Sequence, residues 1–158
     1  MSGTDSPRTV AELQALAGRE IAPGPWIELT QAMVDEFAAL TGDDQYIHVD
    51  PQRAAGTMFG GTVAHGYLTL SLLPRLTPGR DALLAGLGGT LRVNYGLNRV
   101  RFPAPVPVGR RIRARTVLLG AEEVAGGAAV QITWGYTVEV EEGQRPAMVA
   151  EALTRIYF

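Results

Sequence analysis

The chain has 158 residues, 46% hydrophobic and 19% charged, a composition that excludes a disordered protein and predicts one domain spanning 1–158. It contains no cysteine, which removes disulfide scaffolds, thiol nucleophiles and cysteine-ligated metal centres. Its 14 basic residues are all arginine and its 16 acidic residues outnumber them, so Schiff-base and P-loop lysines are absent and a net charge of −2 argues against nucleic acid as partner.

Residues 1–7 read as a loose tail, and the polar run Met1–Arg8 lacks the apolar core of a signal peptide. Thr9, the apolar spacing of Val10, Leu13 and Leu16, and Gly18 predict a short helix over 10–17. Ala22-Pro23-Gly24-Pro25 is a turn, leading into a short strand from Trp26 to Leu29. Thr30 caps a helix over 31–41 in which Met33, Phe37 and Leu40 recur at helical spacing, and Gly42 closes it. Asp50-Pro51 opens another helical turn, followed by a Gly-rich link from Gly56 to Gly61.

From His65 to Leu76, the residues Tyr67, Leu68, Leu70, Leu72, Leu73 and Leu76 cover most of the way round a helix, which predicts a helix wrapped by other structure. Thr69, Ser71, Pro74 and Arg75 interrupt this stretch, and it is far too short to cross a bilayer, so no membrane is expected and a cytoplasmic location is the default. The C-terminal half changes period. Val130, Ile132, Trp134, Tyr136, Val138 and Val140 alternate with mostly polar residues, the pattern of a strand with one covered face. Such a strand, from Ala128 to Glu141, would run roughly 45 Å and has to curl. Arg111 to Thr116 alternates likewise, and 91–95, 99–102 and 148–157 are weaker strand candidates. One buried helix plus long antiparallel strands predicts an α+β architecture, a sheet wrapped around a helix.

Both histidines fall between the helix at 31–41 and the apolar helix. Asp43 precedes His48 by five residues across a glycine turn, a spacing that places a carboxylate and an imidazole on one water, one to remove a proton and one to orient or return it. On spacing alone, a capping Asp and a hydrogen-bonded core histidine is the commoner outcome. His65-Gly66 opens the apolar helix, where first-turn N–H groups are unpaired and a glycine lets a ligand oxygen approach the main chain. Close packing of helix on sheet explains the same glycine equally well. Asp35, Glu36, Glu139, Glu141 and Glu142 read as solvated faces. No His-x-x-x-His pair or Gly-x-Ser-x-Gly element occurs, so neither a metal nor a serine nucleophile is expected. Arg99, Arg101, Arg110, Arg111, Arg113 and Arg115 occur with no acid between them; they form either a phosphate-binding group or an exposed strand face.

The run from Phe37 through Thr41-Gly42-Asp43-Asp44-Gln45-Tyr46-Ile47-His48 to Pro51 resembles the hydratase motif of the MaoC-like family of (R)-specific enoyl-CoA hydratases. Gly60 to Ser71 is similar to that family's second block, and Asn94 to Gly109 to its nodulation protein N-like branch. The resemblance spans about residues 26–116. It implies a hotdog fold, a homodimer, an acyl-CoA thioester substrate and no cofactor beyond it. It also implies catalytic roles for Asp43 and His48, an oxyanion contact from the Gly66 amide, a supporting hydroxyl at Ser71, and positioning by Gln45 and His65. Many members carry Asn-Pro where this chain has Gln45-Tyr46; Gln45 keeps the amide one methylene further out, which bears on substrate preference. In an acyl-CoA enzyme, Arg111, Arg113 and Arg115, projecting from one strand face, are candidates for the CoA phosphates. A hotdog thioesterase and a non-catalytic acyl-CoA binding or signalling protein are the alternative functions.

Overall fold

A computed structural model of the protein describes residues 6–158. Helix α1 (Val10–Gln14) is capped by the Thr9 hydroxyl, which accepts from the Glu12 N–H. It ends before the expected boundary: Leu16 and Ala17 donate to carbonyls three residues back, so the segment tightens into turns towards Gly18. Strands β1 (Glu20–Ile21) and β2 (Ile27–Glu28) flank the Pro-Gly-Pro turn; the first carries no period long enough to be seen in sequence. Helix α2 (Gln31–Thr41) has the expected bounds, with the Thr30 hydroxyl accepting from the Met33 N–H and Gly42 left-handed at φ 76°. Two short helices follow, α3 (Tyr46–Val49) and α4 (Pro51–Ala55), the latter capped by Asp50 through the Gln52 and Arg53 N–H groups.

The apolar segment forms α5 (Gly66–Ser71) and α6 (Leu73–Leu76), joined by Leu72 in helical conformation. Pro74 has no N–H to return to the preceding turn, which explains why the expected long helix is interrupted. Nor is it buried all round. Leu68, Leu72, Leu73 and Leu76 face the core, while Tyr67 is 68% exposed. A further helix α7 (Pro78–Leu84), opened by its own proline, leads to the sheet. Among the described residues, no helix is long and apolar enough to cross a membrane.

Strands β3 (Leu91–Arg101), β4 (Arg111–Val124), β5 (Ala129–Val140) and β6 (Met148–Tyr157) complete one antiparallel sheet of order β1-β4-β5-β6-β3, with β2 also paired to β4. The two strand candidates at 91–95 and 99–102 are parts of one strand, whose register slips at Tyr95 and Asn98 mask its period. In β5, Val130, Ile132, Trp134, Tyr136 and Val138 all point into the core, where they meet Ile112, Ala114 and Leu118 of β4 and the buried leucines of α5 and α6. This sheet wrapped on a central helix is the α+β hotdog architecture.

Of the tail expected over 1–7, residues 1–5 lie outside the described residues. Ser6 and Pro7 are not loose: the Ser6 hydroxyl donates to the Ala82 carbonyl at 3.0 Å and Pro7 is buried.

Ile132 is fully buried at the centre of β5. Ile132→Ala is expected to cost about 2–5 kcal/mol, read as a lower urea midpoint at unchanged slope.

Candidate active site

Helix α2 sets the first half of the site. Its left-handed cap at Gly42, whose N–H donates to the Ala38 carbonyl at 2.8 Å, turns the chain so that Asp43 leaves the helix exposed to solvent. The short α3 then returns His48 to the interior, where it is 8% exposed. Gln31 ties these pieces together. Its amide nitrogen donates to the His48 carbonyl at 2.7 Å and to Asp35 at 2.8 Å, while its amide oxygen accepts from the Thr62 hydroxyl at 2.7 Å. One polar side chain thereby links α2, α3 and the extended segment before α5.

The imidazole of His48 lies with Nδ1 2.6 Å from the Val63 carbonyl. A carbonyl only accepts, so Nδ1 carries the proton, and the neutral ring presents a bare lone pair at Nε2. His65, the residue before α5, is 2% exposed and uses the opposite nitrogen: its Nε2 donates to the main-chain carbonyl of Asp43 at 2.9 Å. Its Nδ1 is buried and has no hydrogen-bond partner among the described residues. The two rings stack with centroids 3.8 Å apart and planes 28° from parallel, and Phe37 closes the far side of His65 at 5.1 Å. Asp43, His48 and His65 each bring a donor atom to within 4.8 Å of the others.

Two imidazoles and a carboxylate at that spacing raise the question of a metal ion, which the sequence pattern does not suggest. The stack answers it. Metal–imidazole bonds lie in the ring plane, and two rings stacked this closely direct their lone pairs side by side rather than at a common point. One ring would have to turn out of the stack to share an ion. The arrangement fits the handling of water and protons better.

Gly66 is the first residue of α5, so its N–H has no carbonyl within the helix to bond. The reason for glycine is also visible: a Cβ at this position would stand 3.0 Å from the Phe102 ring. Both readings left open by the sequence therefore have structural support, since tight packing and a bare amide coexist at the same residue. Gln45 is exposed, and it is its carbonyl rather than its side chain that touches the site, accepting from the His48 N–H at 2.9 Å. Ser71 lies apart from the cluster. At the far end of α5, its hydroxyl donates to the Tyr67 carbonyl at 2.8 Å, and it lines a separate cavity of about 340 Å³.

Of the arginine group, for most of which the sequence favours an exposed strand face, Arg110, Arg111, Arg113 and Arg115 meet acids distant in the chain. Arg111 pairs with Glu141, Arg113 with Glu139 at 2.8 Å, Arg115 with Glu20 at 2.6 Å and Arg110 with Glu142 at 3.1 Å. Cross-strand pairing of β4 with β5 and β1 creates this ladder, so the absence of acids within 99–115 does not leave the charges unopposed. The hydrogen bonds from Arg115 and Arg111 hold the carboxyls of Glu20 and Glu141 below the ordinary glutamate range. A depressed folded-state pKa stabilises the fold above the ordinary value, and that contribution fades as pH falls through the folded value. This favours the exposed-face reading of Arg111, Arg113 and Arg115 over CoA binding. Their single alanine variants are expected to keep KM for a CoA thioester within about twofold of the parent, checked by steady-state kinetics at low salt.

A family model described as the MaoC like domain matches residues 12–140. The chain belongs to the MaoC-like family. It is 51% identical over 147 residues to 3-hydroxyacyl-thioester dehydratase Z of Mycobacterium tuberculosis, covering 93% of this chain and 95% of that protein. It is 41% identical over 152 residues to Nodulation protein N of Rhizobium leguminosarum bv. viciae, covering 95% and 92%. Among solved structures, the (R)-hydratase from A. caviae involved in PHA biosynthesis superposes with a TM-score of 0.65 at 27% identity, over 87% of this chain and 94% of that one. These likenesses run through the segments that carry Asp43, His48 and Gly66.

Sequence reasoning missed Gln31, Phe37 and the Val63 carbonyl as parts of the site. Gln31 and Phe37 sit in an ordinary amphipathic helix, and a main-chain carbonyl has no signature in sequence. His65→Phe keeps the stacked ring shape and removes the bond to the Asp43 carbonyl. It is expected to lower kcat by about a hundredfold through displacement of Asp43, with circular dichroism unchanged.

Proposed function

We propose that this MaoC-like protein is an (R)-specific enoyl-CoA hydratase, adding water reversibly to a trans-2-enoyl-CoA to give the (R)-3-hydroxyacyl-CoA. The observation that carries this reading is the His48 tautomer, held by the Val63 carbonyl with Nε2 left as an acceptor, in a cluster whose His48 ring nitrogen and Asp43 carboxylate come within 4.8 Å of each other, a spacing suited to gripping one water. The relatives named dehydratase and hydratase support it, as does the match to the whole hotdog unit.

In this mechanism the thioester oxygen sits on the Gly66 amide, which draws charge from the double bond and makes the β-carbon electrophilic. Asp43 and His48 hold the water. One of them takes a proton as the water oxygen bonds to the β-carbon, and a proton passes to the α-carbon as the charge on the thioester oxygen collapses. One water is consumed, both its protons end on the product, and the enzyme groups return to their starting state. The residues themselves provide every proton acceptor the addition needs, and the CoA arrives with the substrate. Gln45 reaches the site through its main-chain carbonyl, and Ser71 lines the cavity that would take the acyl chain. The activity is placed in the cytoplasm, with the soluble CoA pool.

We place this site in a homodimer. Strand β3 is the free edge of the sheet, eleven residues long, with Leu91, Val93, Tyr95 and Leu97 all exposed. A long apolar edge is a template for pairing, and a two-fold axis across it lets β3 pair with its own copy. Sedimentation is expected to give a dimer at micromolar concentration, and the double substitution Val93→Glu, Tyr95→Glu is expected to shift it to monomer.

Incubation with crotonyl-CoA, following enoyl absorbance and free thiol together, tests the activity. The expected result is loss of the double bond without thiol release. Thiol release instead makes the protein a thioesterase, and neither change makes it a binding protein. Asp43→Asn and His48→Ala are each expected to lower turnover by at least about a hundredfold.

A further inference from the structure

The cavity beside Ser71 has a feature that acyl-chain burial does not explain. Its walls include Leu70, Leu73, Leu97 and Leu153, but it also admits Arg80, Tyr136 and Asn94. The Arg80 side chain is only 15% exposed. Buried guanidinium groups are ordinarily matched by a carboxylate held in direct hydrogen bonds. Among the described residues the guanidinium makes one hydrogen bond, from Nη1 to the Tyr136 hydroxyl at 3.1 Å. Its neighbour Asp81 stands 4.0 Å away, beyond hydrogen-bond distance, and the same Asp81 oxygen already accepts from Arg92 at 3.0 Å. Two arginines thus share one largely exposed carboxylate, and the excess positive charge borders the cavity.

Tyr136 reinforces this. Its oxygen accepts from Arg80, so its own O–H is free to donate, and burial raises the phenol above its ordinary range and keeps that proton in place. A leucine-lined cavity that also holds a guanidinium and a phenol donor suits a chain with an anionic tip.

We infer that this cavity takes the distal end of the substrate and selects acyl thioesters whose far end carries a carboxylate, which Arg80 and Tyr136 grip together. The inference rests on the hydratase reading for the direction of the chain. With the thioester oxygen on Gly66, a chain running along α5 covers about 7.5 Å to reach Ser71, which lines the cavity, so the inference concerns chains longer than four carbons. The planar guanidinium matches a carboxylate with two parallel N–H groups, a geometry that a methyl terminus leaves unfilled.

Calorimetric titration with saturated thioesters tests the inference without relying on turnover, because such compounds have no double bond to hydrate. Hexanoyl-CoA and adipyl-CoA differ at the far end alone, and octanoyl-CoA and suberyl-CoA extend the comparison. The carboxylate-ended member of at least one pair is expected to bind about tenfold tighter or more. Arg80→Leu is expected to abolish or reverse that preference, and Arg80→Lys to keep part of it. Equal or weaker binding of the carboxylate-ended member in both pairs overturns the inference, and so does a preference that survives in Arg80→Leu; the wild-type comparison decides alone if that variant does not fold. Hydration of trans-2-hexenoyl-CoA and of trans-2-hexenedioyl-CoA is measured alongside. Hydration of neither, together with a carboxylate preference, removes the hydratase reading and leaves the subsite, and hydration of either without the preference does the reverse.

Discussion

Two hydrogen bonds from ring nitrogens to main-chain carbonyls hold the chemistry of this protein in place. His48 spends Nδ1 on Val63, and His65 spends Nε2 on the Asp43 carbonyl. The first bond decides which nitrogen of His48 is left as an acceptor. The second fixes the residue that supplies the carboxylate, and does so from the residue immediately before Gly66. Because the rings stack, neither can move without the other. A carboxylate, an imidazole and a bare helix-end amide are thereby referred to one rigid block, although they come from a helix cap, a single helical turn and the start of another helix.

The sheet makes that block stable. Strand β5 buries alternate side chains along most of its length against the leucines of the central helix, and β4 and β6 flank it on both sides. Pro74 interrupts the helix, and the cavity beside Ser71 is lined by residues of both halves and of β3 and β6. At the outer face of β4, arginines and glutamates alternate across strands and satisfy one another, which keeps that side solvated and leaves the β3 edge as the apolar surface that remains open.

Much of this was legible in the residues. Thr30 and Gly42 bound α2 correctly because capping is a local matter of one hydroxyl and one left-handed residue. The period of two in 129–140 announced β5, because burial on one face writes itself into alternate positions. Asp43, His48 and His65-Gly66 stood out by type and by resemblance to a hydratase motif, and the structure brings Asp43, His48 and His65 together. The sequence also determined that no thiol, lysine or disulfide takes part.

Other features were decided by the tertiary structure alone, since they depend on residues far apart in the chain. The His48 tautomer depends on a carbonyl 15 residues away, and a carbonyl looks the same in every residue. The apolar spacing of 65–76 could not show which side the sheet would leave bare, so Tyr67 turned out exposed. Arg111, Arg113 and Arg115 looked unopposed because their partners lie on other strands, as far as 95 positions away for Glu20. Arg80 carried no signal at all. Its meaning comes from Tyr136, 56 residues on, and from the apolar cavity the fold closes around them both. Capping and periodicity act between near neighbours and can be read along the chain, whereas a charge or a lone pair takes its role from whatever the fold brings beside it.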